Sequence, residues 1–285
     1  MSQINLKDIY DEMRAALDGA GIEDSDFIAR QLIKSKLDVS DITIALNTNT
    51  HISEKCQDEL REFVQRTVRG EPLNRILEES RFWGLRFKVT SDVLDPRNDT
   101  ETIVDLALKR LLGKSPGHIL DMGTGTGCII ISLLTEWSVC QGVASDISPE
   151  ALKIARHNAE LNGVADRMSF VRSDWGSDVK GKFDLIVSNP PYISESEMTN
   201  LPESVKNYDP ILALQAGIDG LDAYKKIIFD IKRLLQPEGI ALLEIGSTQG
   251  EDVMRLVEDS GLFCHGVHPD MAGNPRVVEI SFGEK

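Results

Sequence analysis

The sequence predicts an α/β protein, in which a small N-terminal helical bundle precedes a domain built on a mostly parallel sheet. Three observations predict it. From about residue 97 short apolar runs alternate with helical periodicities. A glycine-rich turn, Gly123-Thr124-Gly125-Thr126-Gly127, lies between the first such strand and a helix. Before them, Ile4, Leu6, Ile9, Tyr10, Met13 and Leu17 recur at helical spacing, and segments 25–37 and 53–69 mix apolar and charged positions in the same way.

In chain order, the helical part is expected over 1–75 and a β-hairpin linker over 76–96. Within that linker Phe82, Trp83, Leu85, Phe87 and Val89 flank Gly84. The α/β domain then fills 97–285, with helices near 99–113, 128–136, 149–162, 220–235 and 249–260. Strands are expected at 118–121, 141–145, 168–172, 183–188, 239–245, 263–268 and 276–282. Right-handed crossovers place a binding crevice at the C-terminal strand ends.

Composition narrows the function classes. Of 285 residues 41% are hydrophobic and 27% charged, as in a soluble protein large enough for two unequal domains. Cys56, Cys128, Cys140 and Cys264 have no C-x-x-C spacing, and the histidines have no ligand spacing, so neither a metal site nor a disulfide framework is expected. The N-terminus has no basic segment followed by an apolar one, and no apolar run is long enough to cross a bilayer. A cytoplasmic protein with reduced thiols and no membrane partner is expected. Net charge is −15; residues 1–90 carry 13 basic and 16 acidic groups, the remainder 18 and 30. An acidic C-terminal part repels phosphate backbones, so direct nucleic-acid binding is not expected.

The glycine turn lets a ligand approach the backbone, although a plain strand-to-helix turn uses the same residues. Asp146 ends the second strand of the α/β domain, where a carboxylate can accept from both hydroxyls of a ribose. The glycines run G-x-G-x-G rather than G-x-G-x-x-G, and Asp121 heads the loop. An acid there suits a cofactor carrying an ammonium and a sulfonium better than a pyrophosphate, which points to S-adenosyl-L-methionine rather than NAD. After the next strand, Asp174 and Trp175 either hold an adenine by its amino group and ring face or serve as a helix-capping acid and a core indole.

After the fourth strand the chain reads Val187-Ser188-Asn189-Pro190-Pro191-Tyr192. The prolines end the strand, and fixed φ gives neighbouring acceptors fixed directions. A planar group bearing NH2 can donate one hydrogen to the Asn189 side-chain oxygen and the other to the Pro190 carbonyl, with Tyr192 over its flat face. Amide and exocyclic nitrogens are weak nucleophiles, so alignment of the lone pair is what a catalyst must supply. A strand-terminating turn is the simpler reading of the prolines alone.

D-M-G-T-G-T-G, S-D-W and S-N-P-P-Y, in this order, resemble the class I S-adenosylmethionine-dependent methyltransferases (Rossmann-like) of planar nitrogens. Over nearly the whole chain the sequence resembles the HemK/PrmC family of protein-glutamine methyltransferases. Gly70-Glu71-Pro72, Phe82-Trp83-Gly84, Pro96-Arg97-Asn98-Asp99-Thr100-Glu101, Tyr208-Asp209-Pro210 with Ala213-Leu214, Asp219-Gly220-Leu221, and Asp270-Met271-Ala272-Gly273 with Arg276-Val277 carry that resemblance. It implies methyl transfer to the side-chain amide nitrogen of the glutamine in the Gly-Gly-Gln motif of class I peptide chain release factors, with S-adenosyl-L-homocysteine as product. It also implies that the helical domain and hairpin bind the release factor. Gly123, Thr124, Gly125, Thr126, Gly127, Asp146, Trp175 and Asn189 would bind the cofactor. Asn189, Pro190, Pro191 and Tyr192 would hold the substrate, with Asn189, Pro190 and Tyr192 serving the catalysis. The chain departs from the family pattern at Asn98, where a proline is usual, and at Glu78 and Ala216, where glycines are.

Other residues receive simpler assignments. His157 reads as a surface or supporting residue, Cys128 as a small packing residue, and Glu78-Glu79 as a solvated loop, while Glu101 either starts a helix or approaches the cofactor's charged end. The competing functions are methylation of an exocyclic amino group of adenine or guanine, and a non-catalytic cofactor-binding module.

Overall fold

The structure is a computed structural model that describes residues 5–46 and 50–284. Ile4, expected on the first helix, lies outside the described residues. The chain divides into two compact units, Met1–Glu78 and Glu79–Lys285.

The first unit is helical: α1 (Leu6–Gly19), α2 (Ser25–Lys36), α3 (Asp41–Leu46), α4 (Glu54–Val68) and α5 (Leu73–Leu77). Asn5 Oδ1 accepts from Asp8 N at 2.9 Å, and Ser53 caps α4 in the same manner, which satisfies backbone N–H groups that a first turn leaves open. Leu6, Ile9, Met13 and Leu17 bury one stripe of α1 against Leu32, Ile33, Leu60 and Ile76. α5 ends at Glu78 in the left-handed conformation, φ 52°. Glycine is the residue that takes this geometry without strain.

The second unit opens with an antiparallel hairpin, β1 (Glu79–Phe82) and β2 (Leu85–Lys88), followed by α6 (Glu101–Arg110), β3 (His118–Met122), α7 (Cys128–Glu136), β4 (Gln141–Asp146), α8 (Pro149–Leu161), β5 (Met168–Arg172) and β6 (Phe183–Ser188). After β6 come two short helices, α9 (Glu195–Met198) and α10 (Glu203–Tyr208), then α11 (Asp222–Leu234), β7 (Leu235–Glu244), α12 (Gly250–Asp259), β8 (Phe263–Pro269) and β9 (Pro275–Ser281). The hairpin is shorter than its alternating pattern predicts. At Thr90 and Asp92 side chains bond local backbone and each other, Asp92 N donating to Thr90 Oγ1 at 3.2 Å, and this competes with strand pairing.

Seven strands form one sheet in the order β5-β4-β3-β6-β7-β9-β8, with the first five parallel, β9 antiparallel to them, and β8, antiparallel to β9, running with the first five. Alternation along the strands feeds two core layers. Ile119, Leu185, Val187 and Leu242 face one, while Leu120, Ile186, Ala241 and Leu243 face the other. Both faces are covered, so these strands read as continuous apolar runs. From β3 the chain first builds toward β4 and β5, then returns to place β6 on the opposite side. Such a reversal leaves a crevice beyond the strand ends, between the loops after β3 and β6.

Candidate active site

A cavity of about 550 Å³ occupies that crevice. Gly123, Gly125, Asp146, Asp174, Trp175, Asn189 and Pro191 line it, drawn from the ends of four parallel strands. The size and the mixed lining are those of a small-molecule site.

The loop after β3 divides its labour. Gly123, Gly125 and Gly127 all have positive φ, at 71°, 54° and 80°. A Cβ on Gly123 would lie 2.9 Å from Trp175 Cζ3, whereas one on Gly125 would meet nothing within 4 Å. Gly125 therefore offers bare backbone to open space, and Gly123 lets the indole close on the loop. Gly127 serves packing instead, since its Cβ would meet Ile131 Cδ1 at 2.9 Å and Ala155 Cβ at 3.3 Å. The two threonines are buried and hold the turn: Thr124 Oγ1 donates to Asp121 at 2.7 Å, and Thr126 Oγ1 accepts from Cys128 N at 3.3 Å. Thr124, Thr126 and Gly127 are not among the cavity-lining residues.

Asp146 Oδ2 accepts from Gly125 N and its Oδ1 from Ser148 N, both at 2.9 Å. A carboxylate has about four acceptor sites, so each oxygen keeps capacity toward the cavity. Burial raises the Asp146 pKa, and these backbone donors oppose the rise. Asp121 differs. It is almost fully buried, outside the cavity lining, and its Oδ1 has no hydrogen-bond partner among the described residues. Burial pushes its pKa up to about 7, against the lowering effect of the Thr124 hydroxyl.

Trp175 sits at φ 55°, a left-handed geometry costly for an aromatic residue, and lines the cavity. Asp174 lines it too, with Oδ2 2.8 Å from Lys226 Nζ. Glu101, one candidate for the charged end of a cofactor, has its Oε1 engaged by Trp83 N at 2.7 Å.

The loop after β6 is braced from several sides. Ser188 Oγ donates to Met122 O at 2.6 Å, linking the ends of β6 and β3. Asn189 Nδ2 donates to Thr100 Oγ1 at 3.0 Å. Gln249 Nε2 donates to Tyr192 O at 3.0 Å and to Gly220 O at 3.2 Å. Gly220 has to be glycine for this approach, because a Cβ there would lie 2.6 Å from Tyr192 O. Pro190 is buried and, with the partly buried Tyr192, lies outside the cavity-lining set.

Sequence reasoning missed three contributors. Ser91–Leu94 line the cavity from the irregular stretch after the hairpin, and Leu212, Ala213, Gln215 and Ala216 line it from the chain after β6. Ala216 has no positive φ, so alanine fits there without strain. Glu244, at the end of β7, is buried and neighbours Asn189. Part of this was signalled: Ala213 and Ala216 lie in stretches compared with the family pattern, and Thr100 within P-R-N-D-T-E meets Asn189.

Residues 99–204 match the Methyltransferase small domain, and residues 8–77 match the PrmC N-terminal domain. The release factor glutamine methyltransferase of Cereibacter sphaeroides is 40% identical over 271 residues, covering 94% of this chain and 96% of that protein. The chain belongs to the release factor glutamine methyltransferase family. Its relative of that name in Nitratidesulfovibrio vulgaris is 37% identical over 281 residues, covering 97% of this chain and 95% of the other. Among solved structures, the hMettl16 catalytic domain aligns with a TM-score of 0.59 at 16% identity, over 91% of this chain and 92% of that one, and so shares the fold. The α/β unit is a class I methyltransferase domain, and the protein is a methyltransferase.

Proposed function

We propose that this methyltransferase moves the methyl group of S-adenosyl-L-methionine to the side-chain amide nitrogen of the glutamine in the Gly-Gly-Gln motif of class I peptide chain release factors. The observation that carries the reading is Asn189. Its side chain stands on the cavity wall in a proline-stiffened turn beside the glycine loop, in a chain whose full-length relatives carry that enzyme name.

The residues present fit the cofactor. Gly125 offers uncovered backbone, Asp146 has spare acceptor sites for ribose hydroxyls, and Trp175 presents a ring to the adenine. When bound, the cofactor supplies an electrophilic methyl group on a sulfonium. Asn189 Oδ1 and the Pro190 carbonyl accept the two amide hydrogens, so the nitrogen's lone pair is aimed rather than averaged over rotations. Those acceptors also favour the positive charge that develops on nitrogen. Pro190 and Pro191 keep the acceptors in place, and Tyr192 excludes water from the amide face.

The helical unit and the hairpin recognise the release factor in this reading. Cytoplasmic residence goes with it: the four cysteines are free thiols, and no described helix is long and apolar enough to cross a membrane. The same turn could serve an adenine or guanine amino group, but a net charge of −15 opposes approach to nucleic acid.

The test is methyl transfer from labelled cofactor to three acceptors: a release factor, its Gln→Ala form in the Gly-Gly-Gln motif, and duplex DNA. Label on the first alone is expected. Label on DNA alone rejects the reading, and tight cofactor binding with no transfer to any acceptor favours a binding module.

A further inference from the structure

An asparagine amide is two-faced, with an acceptor at one end and a donor at the other, and nothing in Asn189 itself decides which end faces the crevice. Its surroundings do. The parallel register sets Ser188 beside Leu243, so the next residues, Asn189 and Glu244, emerge side by side at the sheet's C-terminal edge. The 3-10 turn at Asn98–Thr100 brings Thr100 against the same amide, and Asn189 Nδ2 donates to Thr100 Oγ1 at 3.0 Å. Glu244 is 2% exposed, is not among the cavity-lining residues, and has an Oε2 with no partner among the described residues. An ionised carboxylate is acceptor-only, so it holds the NH2 end of a neighbouring amide and repels the oxygen end.

We infer that Glu244 is a positioning residue which, with Thr100, engages the hydrogens of the Asn189 amide and leaves Oδ1 as the edge that accepts from the substrate's NH2. This rests on the reading of Asn189 as the acceptor for the target amide. Arg276 supports the arrangement. Its guanidinium is 3.1 Å from Asp99 and 3.1 Å from Asp270, and its charge favours the ionised Glu244.

The device is sensitive to protons. Burial pushes the Glu244 pKa up to about 7; Thr100, Arg276 and Asn189 pull it down, while Asp99 pushes it further up. The other titratable groups interacting with it are Tyr192 after β6, Tyr224 on α11 and Cys128 on α7, all with raised pKa values and therefore neutral near pH 7. Protonated Glu244 can donate to Asn189 Oδ1, and the amide can then turn its NH2 toward a substrate that also presents NH2. Activity held by Glu244 is thus present above about pH 7 and is lost as pH falls through that value.

The experiment compares the wild type, E244A and E244Q in methyl transfer to a release factor from pH 6 to 9, with cofactor affinity measured by calorimetry on each. At pH 8, E244A is expected to lose turnover on the order of 100-fold while cofactor affinity stays within about 3-fold, because a mispositioned contact group costs this much without touching the binding face. Gln can donate as well as accept, as protonated Glu244 can, so E244Q should turn over on the order of 10-fold below wild type at pH 8 and lack the acid limb near pH 7. Three results overturn the inference: E244A turning over within about 2-fold of wild type, E244A losing affinity in step with turnover, or E244Q within about 2-fold of wild type at pH 8. The last would show that an acceptor-only group is not what orients the Asn189 amide. A wild type that transfers to no release factor defeats the functional reading first, and is seen before any variant is compared.

Discussion

The loops that follow β3 and β6 lie on one edge of one sheet and solve opposite problems. After β3, the chain removes side chains: at positive φ, Gly125 exposes backbone and Gly123 lets Trp175 approach. After β6 it removes freedom: two prolines, Ser188 on Met122 O, Asn189 on Thr100 Oγ1 and Gln249 on Tyr192 O hold a turn that presents one amide. A surface that receives a ligand needs access, whereas a surface that aims a weak nucleophile needs fixed direction.

Substitutions can break this division. The largest effect is expected at the second loop, where Asn189→Ala should lower turnover about 100- to 1,000-fold with little change in cofactor affinity, as for loss of a donor or acceptor made good only in the transition state. Single-turnover kinetics beside calorimetry would check it, and unchanged turnover would sink the acceptor mechanism. On the first loop the pattern should invert. Asp146→Ala should weaken cofactor binding about 10- to 100-fold by losing ribose contacts and loosening Gly125, with a smaller effect on turnover at saturation. Gly123→Ala should weaken binding by about 10-fold, since its Cβ meets Trp175 and its φ disfavours alanine.

Asp121 sharpens the comparison through stability. Its folded pKa, about 7, lies above the ordinary 3.8, so the fold favours the protonated acid. Stability from this group is full below about pH 4 and is lost as pH rises through 7. Asp121→Asn should therefore raise stability at pH 8 by on the order of 2 kcal/mol and change it little near pH 4, as read by urea unfolding at the two values. The smallest effect lies outside both loops. Glu78→Gly should stabilise the helical unit by less than about 1 kcal/mol by relieving the left-handed φ at the end of α5.

Much of the fold was legible because its boundaries carry strong chemistry. α7 runs from Cys128 to Glu136 as the pattern predicts, because Gly127 precedes it and the apolar run fills it; β6 ends at Ser188 because two prolines lie just beyond Asn189. α3, α5, α9 and α10 have four to six residues each, too few for helical periodicity to register. The site was legible where residue type and loop position agree, as at Gly125, Asp146 and Asn189, all of which line the cavity. Glu244 was not. In sequence it is one acid inside Leu242-Leu243-Glu244-Ile245, and it gains meaning only from the strand register that sets it beside Asn189.

Asn158 on α8 is wholly buried, and its single side chain accepts from Lys88 N at 2.7 Å while donating to Lys88 O at 3.0 Å and to Thr126 O at 2.9 Å. Mechanically it is a rivet through three layers: hairpin, helix and glycine loop. The hairpin cannot shift without either shearing that rivet or dragging the glycine loop with it, so a load applied to one is transmitted to the other.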